Sequence, residues 1–161
     1  MQRRATFVLA MIACTVFDAA GAVSAASASR VDFGALPDGR RAEAVTLRNS
    51  KGLAATVITY GAALQSLLMP DRDGTLSDVV LGYASLEGYL AKPEYFGGSV
   101  GRFANRIAKG RFTLDGKVYQ TPQNNNGNAL HGGERGFDKV LWEIVALRQG
   151  AAPSVTLRYV S

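Results

Sequence analysis

The feature that most constrains this chain is its punctuation. Beyond residue 43 the apolar side chains come in short runs, rich in β-branched and aromatic residues, and each run is cut off by Gly, Asn or Asp. No stretch holds a 3.6-residue period long enough to make a major helix. The pattern predicts an all-β, antiparallel fold. Residues 44–49, 53–60, 63–69 and 78–82 are expected as successive strands of a meander, with Asn49-Ser50-Lys51-Gly52 and Asp71-Arg72-Asp73-Gly74 supplying turn chemistry between them. The sharpest local signal is Asp115-Gly116, a dipeptide that accepts the positive φ angles of a two-residue hairpin, between Gly110-Arg111-Phe112-Thr113-Leu114 and Lys117-Val118-Tyr119-Gln120. Residues 142–148 and 154–160 alternate apolar and polar side chains, as half-buried antiparallel strands do. Only residues 86–90, after Ser85 as a cap, suggest a helical turn.

Two glycine-rich stretches, 91–108 and 121–139, fit no strand, and the second holds the only histidine. Loops of that length in a compact domain are usually functional or disordered. The chain stops at Ser161 directly after a strand-like run. An edge strand exposed there would leave unpaired backbone groups, so the expectation is that further sequence normally follows.

Residues 1–29 read as a signal peptide, leaving 30–161 as the domain. Met1-Gln2-Arg3-Arg4 is a basic head, residues 5–16 are almost wholly apolar, and small residues follow. The apolar run is too short for a convincing membrane span. Cleavage is expected after Ala25 or after Ala28, giving a periplasmic or secreted protein with no stable membrane span after processing. A rival reading takes Met11-Ile12-Ala13-Cys14 as a poor lipobox with Cys14 carrying lipid, against which Met stands where Leu is usual. Without the leader the chain has no cysteine, so its fold rests on packing and not on disulfides. One Cys and one His leave too few ligands for a zinc site built from those donors.

The formal charge is +5, and loss of Arg3, Arg4 and Asp18 with the leader lowers it by one, to +4. The remaining Lys and Arg are scattered, which fits solvated strand faces and argues against a nucleic-acid partner. Nothing in the sequence indicates an oligomeric state.

Three constellations could carry chemistry. Gly101-Arg102-Phe103-Ala104-Asn105-Arg106-Ile107 puts a carboxamide and two guanidinium groups in a glycine-flanked loop. A guanidinium is a rigid fork of donors and a carboxamide both donates and accepts, a combination suited to the hydroxyl pattern of a sugar. The same residues could instead lie over apolar surface and cap a turn. In Asn128-Ala129-Leu130-His131-Gly132-Gly133, His131 precedes two glycines that let backbone approach a ligand; it could transfer protons near neutrality or be a satisfied structural residue. Gly136-Phe137-Asp138-Lys139 with Trp142 offers aromatic faces for a pyranose, though Trp142 reads more readily as core, and Asp138 and Lys139 could simply pair.

In their order and wording these motifs resemble the aldose 1-epimerase (galactose mutarotase) family. The likeness runs from about Gly34 to Ser161 and takes in Tyr60-Gly61-Ala62 and Asp78-Val79-Val80-Leu81-Gly82-Tyr83. The resemblance implies the N-terminal part of an antiparallel β-sandwich of the galactose mutarotase-like supersandwich type. It implies an isomerase of carbohydrate metabolism that interconverts the α and β anomers of free aldohexoses such as galactose and glucose, with no metal or organic cofactor. Asn105 and Arg106 match residues that hold the sugar's hydroxyls, and His131 matches a histidine near the ring oxygen, where it would be an auxiliary catalytic group. The family's main acid, a second histidine, its base, a late glutamate, and a sugar-binding aspartate would all fall beyond Ser161, so this chain by itself is expected to be inactive. Rival readings are a non-catalytic secreted carbohydrate-binding β domain and a secreted structural β domain without a ligand.

Overall fold

The computed structural model describes residues 25–91 and 94–161. Most of the expected leader therefore lies outside the described residues, although its last residues, from Ser27, already belong to a strand. The fold is all-β. Strands β1 (Ser27–Ala35), β2 (Arg41–Arg48), β3 (Ala54–Ile58), β4 (Ala63–Pro70) and β5 (Leu76–Asp78) form one antiparallel five-stranded meander in chain order. A short helix, α1 (Leu86–Ala91), follows. Then come β6 (Arg106–Ile107), β7 (Arg111–Leu114), β8 (Lys117–Gln120), β9 (Ala129–Leu130), β10 (Glu143–Arg148) and β11 (Ser154–Arg158), paired antiparallel as β7–β8, β6–β9 and β10–β11.

Why the chain folds this way can be read from one face of the meander. Small residues dominate it: Ala42 and Ala44 on β2 and Ala63 on β4 are all nearly inaccessible, and Ala44 sits opposite the fully buried Ile58. Gly34 extends the same logic on β1, where a Cβ would meet the Leu86 side chain at 3.1 Å. The absence of bulk lets α1 lay Leu86 directly on the sheet, packed with Leu36, Ala42, Phe33, Tyr60 and Leu141. A β-bulge between Asp32 and Gly34 inserts Phe33 as an extra residue and turns it into both core clusters. On the outer face, Arg30–Glu43 and Arg41–Asp32 pair across β1 and β2, and the Arg41 guanidinium holds the Asp32 carboxyl below its ordinary range. These pairs are solvent-exposed and add little stability.

The hairpin around Asp115-Gly116 forms as its turn dipeptide dictates, with φ of 50° and 75° at the two residues and Arg111–Leu114 paired to Lys117–Gln120. Two expectations differ from the fold. The strand expected over residues 78–82 is replaced by Leu76–Asp78, because the Asp78 carboxylate turns back to accept the amides of Leu67 (3.0 Å) and Val80 (3.2 Å). Those bonds hold Asp78 acidic and end the ladder, a side-chain competition that β-propensity ignores. The other difference is β1, whose Ala-, Ser- and Gly-containing sequence gave no strand signal; partner β2 imposes the extended form by pairing from Ser27↔Arg48 to Ala35↔Arg41.

The β10–β11 hairpin is fastened to the meander at two places. Thr59, buried to 2% exposure, spends all its polar groups: its N–H donates to Glu43 O (2.8 Å), its carbonyl accepts Trp142 N–H (2.9 Å) and its hydroxyl accepts Glu43 N–H (2.8 Å). At the other end the Gln149 side chain acts as a strand substitute on the outer edge of β1, accepting from Ala28 N–H and donating to Ala28 O, both at 2.7 Å. Because Ile58 has no accessible surface and lies between the alanines of β2 and β4, its truncation leaves a cavity that neighbouring strands cannot close. Ile58→Ala is expected to lower stability by about 2–5 kcal/mol in urea unfolding. A loss under about 1 kcal/mol would show that the core lies elsewhere.

Candidate active site

The two stretches that fitted no strand meet each other. The two-residue strands β6 and β9 pair Arg106 with Leu130 and Ile107 with Ala129, which brings Asn105 and His131 side by side at the same end of the ladder. There the backbone leaves β geometry, with φ of +60° at Asn105 and +50° at His131. The turn is closed by a reciprocal pair of bonds: His131 N–H donates to Asn105 O at 3.1 Å, and Asn105 N–H donates to His131 Nδ1 at 3.0 Å. An Nδ1 that accepts an amide proton cannot carry its own, so neutral His131 holds its proton on Nε2, free to face a ligand.

Arg106 is fixed from two sides. Its Nε–H donates to Asn125 Oδ1 at 2.9 Å and one terminal nitrogen donates to Asn105 Oδ1 at 3.4 Å, which ties the carboxamide and guanidinium into one unit. Asn125 belongs to the run 123–128, legible in the sequence only as a polar loop, and its neighbours have definite tasks. Asn124 mimics a strand against Leu130, accepting its N–H at 2.7 Å and donating to its carbonyl at 3.0 Å; Asn128 accepts Lys109 N–H at 3.0 Å. Of the two arginines in the motif, only Arg106 joins Asn105 and His131. Arg102 lies over the Phe137 ring, 5.7 Å from its centroid, and donates to Ser161 O at 3.1 Å.

The floor of the site is glycine because nothing larger fits. A Cβ on Gly132 (φ +86°) would run into the carbonyl of Gly101, and one on Gly101 would enter the Phe137 ring. Phe137 N–H donates to that same Gly101 carbonyl at 3.1 Å, so the loop before β6 and the turn after His131 are locked together. Trp142 is half-buried, donates Nε1–H to Phe137 O at 3.0 Å and packs edge-on to Phe137. Asp138 and Lys139 do pair, at 2.6 Å, with both side chains largely withdrawn from solvent. The remaining carboxylate oxygen of Asp138 is buried with no hydrogen-bond partner among the described residues. Burial first, and then the Asp138 charge, raise the Tyr60 phenol above its ordinary pKa.

Tyr95 was not legible as a site residue. Its ring stands edge-to-face to the His131 imidazole, 4.8 Å between centroids at 63°, and Lys139 Nζ lies 4.6 Å from the same ring's centroid. Nothing in its sequence context, within a long irregular stretch, marks it as a neighbour of residue 131. Behind it, a cavity of about 100 Å³ is lined by Tyr60, Tyr83, Tyr89, Tyr95, Asp138 and Lys139. That is smaller than ordinary ligand pockets of roughly 300–1,000 Å³. Asn105, Arg106 and His131 stand outside it, on an open wall. No group of three or more His, Cys, Asp or Glu among the described residues is placed to hold a metal ion, and no described helix is long and apolar enough to cross a membrane. Chemically, the wall offers a fork of donors, a carboxamide and one imidazole N–H within a single hydrogen-bonded unit.

Comparison with known proteins agrees with the architecture. Residues 43–161 match the aldose 1-epimerase family. The galactose mutarotase of Rattus norvegicus is 53% identical over 124 residues, covering 77% of this chain and 36% of the relative. The aldose 1-epimerase of Escherichia coli K12 is 43% identical over 109 residues, covering 68% of this chain and 32% of the relative. Among solved structures, a galactose 1-epimerase from Lactobacillus acidophilus superposes with a TM-score of 0.64 at 31% identity, covering 74% of this chain and 34% of that one. The matched part of the chain thus spans about a third of these relatives. The match over residues 43–161 and the identity to these relatives show that the chain belongs to the aldose 1-epimerase family.

Proposed function

We propose that this chain forms one wall of a mutarotase site for free aldohexoses such as galactose and glucose. Asn105 and Arg106 hold the sugar's hydroxyls and His131 serves near the ring oxygen. The reading is carried by the bond from Asn105 N–H to His131 Nδ1 at 3.0 Å, which leaves an Nε2–H donor beside the Arg106 fork. In the reaction a base takes the proton of the anomeric hydroxyl, the bond between C1 and the ring oxygen breaks, and an acid delivers a proton to that oxygen. Rotation about C1–C2 and closure on the other face then run the transfers in reverse. Acid and base must be present together on two sides of the sugar. The chain has a single imidazole, and His131 cannot fill both roles. By itself the 161-residue chain should therefore bind sugar weakly and catalyse little, and the mutarotase activity is that of the complete catalytic site.

The test is a chimaera in which residues 43–161 replace the matching segment of the rat galactose mutarotase. Anomerisation of fresh α-galactose, followed by polarimetry, should proceed well above the spontaneous rate. His131→Ala in the chimaera should lower kcat by about 10²-fold or more, as expected for loss of a proton-transfer group. A folded chimaera no faster than water defeats the reading. Rapid anomerisation by the unfused chain, well above an Asn105, Arg106 and His131 triple-alanine control, defeats the claim that it is inactive alone.

We further propose that the protein is exported and that the leader is cut after Ala25. Ala28 is engaged twice by Gln149 and its neighbour Ser27 pairs with Arg48, so removal of residues through Ala28 would strip the start of β1 and orphan the Gln149 amide. Expressed from its full sequence in a bacterial host, the chain should be recovered from the periplasm with an intact mass lacking residues 1–25. A product lacking residues 1–28 refutes the choice of site, and an uncut cytoplasmic product refutes export.

A further inference from the structure

The proposed site accounts for Asn105, Arg106 and His131 but leaves unexplained what stands against the other side of the imidazole. Seven non-glycine residues among those described have positive φ, and three of them, Tyr95, Asn105 and His131, come together here. Asn tolerates that conformation; a bulky aromatic does not adopt it without compensation. The compensation at Tyr95, where φ is +62°, is visible. Gly98 N–H donates to Tyr95 O at 3.1 Å, and the next turn is pressed against β4, where Leu64 N–H donates to Gly97 O at 3.0 Å and a Cβ on Gly97 would strike the Leu64 carbonyl. A whole loop is thus anchored on the meander so that one strained tyrosine presents its ring to His131.

The ring is held in its turn. Lys139 Nζ lies 4.6 Å from the Tyr95 centroid, within the range of a cation–π contact, and is kept there by the Asp138 carboxylate at 2.6 Å. Asp138 has a side-chain exposure of only 7%, and its backbone approaches Gly61 so closely that no Cβ is possible there. Asp138, Lys139, Tyr95 and His131 therefore form a stack running from the place where residues 59–61 meet residues 138–142 out to the open wall.

We propose that Tyr95 and Lys139 are positioning residues for His131. Two contacts are needed to fix a planar ring. The Asn105 amide sets which nitrogen is the acceptor, and the Tyr95 ring sets the rotation about the Cβ–Cγ bond, so that Nε2–H points in one direction before any ligand arrives. The inference rests on the reading of His131 as a sugar-facing group, but its test does not. His131 is the only histidine in the chain, so its two ring nitrogens give one unambiguous pair of 15N resonances.

In the 161-residue chain, at a pH where the imidazole is neutral, the two 15N resonances should be widely separated, with Nδ1 at the acceptor position. Tyr95→Phe, which keeps the ring, should retain that separation. Tyr95→Leu and Lys139→Gln should each let the ring turn about Cβ–Cγ, which takes Nδ1 off the Asn105 amide and collapses the separation towards the value of a freely averaging imidazole, while backbone amide shifts of β2 to β4 stay unchanged. If either of these variants, with an intact β2 to β4 spectrum, keeps the wild-type separation, the positioning role is wrong. The same holds if Tyr95→Phe loses as much as Tyr95→Leu. The anomerisation assay of the chimaera separates the two ideas: a lower kcat in a Tyr95→Leu chimaera that folds supports both, whereas an ordered imidazole in a folded chimaera no faster than water leaves the positioning intact and removes the sugar reading.

Discussion

The arrangement depends on one crowded junction, where residues 59–61 at the end of β3 meet residues 138–142 ahead of β10. Gly61 N–H donates to Val140 O at 2.8 Å, Trp142 N–H donates to Thr59 O at 2.9 Å, and Tyr60 bridges to Leu141. The backbones come so close that Gly61, at φ +68°, has no room for a side chain beside the Asp138 carbonyl. This contact joins segments far apart in sequence, and the loops on either side inherit their positions from it. Ser99 N–H donates to Gly61 O at 2.9 Å, which brings the loop carrying Tyr95 to the same place where Asp138 and Lys139 arrive. A close approach of backbones thus decides which side chains can share a surface.

From the junction outward the structure trades bulk for proximity. The alanine-rich inner face lets α1 and a set of aromatic rings lie directly on the sheet, and Gly101, Gly132 and Gly136 do the same for the two site loops. Little of the resulting site is rigid through regular secondary structure. It is held by side chains that answer backbone and side-chain groups of the irregular segments: Asn124 against Leu130, Asn128 against Lys109, Asn125 against Arg106, and the imidazole against the Asn105 amide. Such bonds contribute only about 1 kcal/mol each at these largely exposed positions, and it is several of them acting together that select one loop conformation.

Much of the fold was legible because its signals are local. The Asp115-Gly116 hairpin needs only two residues that accept positive φ, and the strands around residues 44–69 follow from alternation and turn chemistry between them. The signals failed where a side chain or a partner strand overrode propensity. Asp78 bonds back to Leu67 and Val80 and ends β5 short of the apolar run, while β1 is a strand because β2 pairs with it.

For the site, the sequence by itself determined which chemistry is available. Asn105, Arg106 and His131 stood out as candidates because carboxamide, guanidinium and imidazole groups suit hydroxyl recognition and proton transfer, but residue type alone left a structural role open and only the family resemblance tied them to a sugar. Only the tertiary structure decided how those groups are held. Asn125 behind Arg106, Tyr95 and Lys139 behind His131, and the parting of Arg102 from Arg106 all depend on contacts between segments that have no fixed spacing along the chain. Identity is written residue by residue, but orientation is set by whatever packs behind a residue, and that neighbour is chosen by the fold.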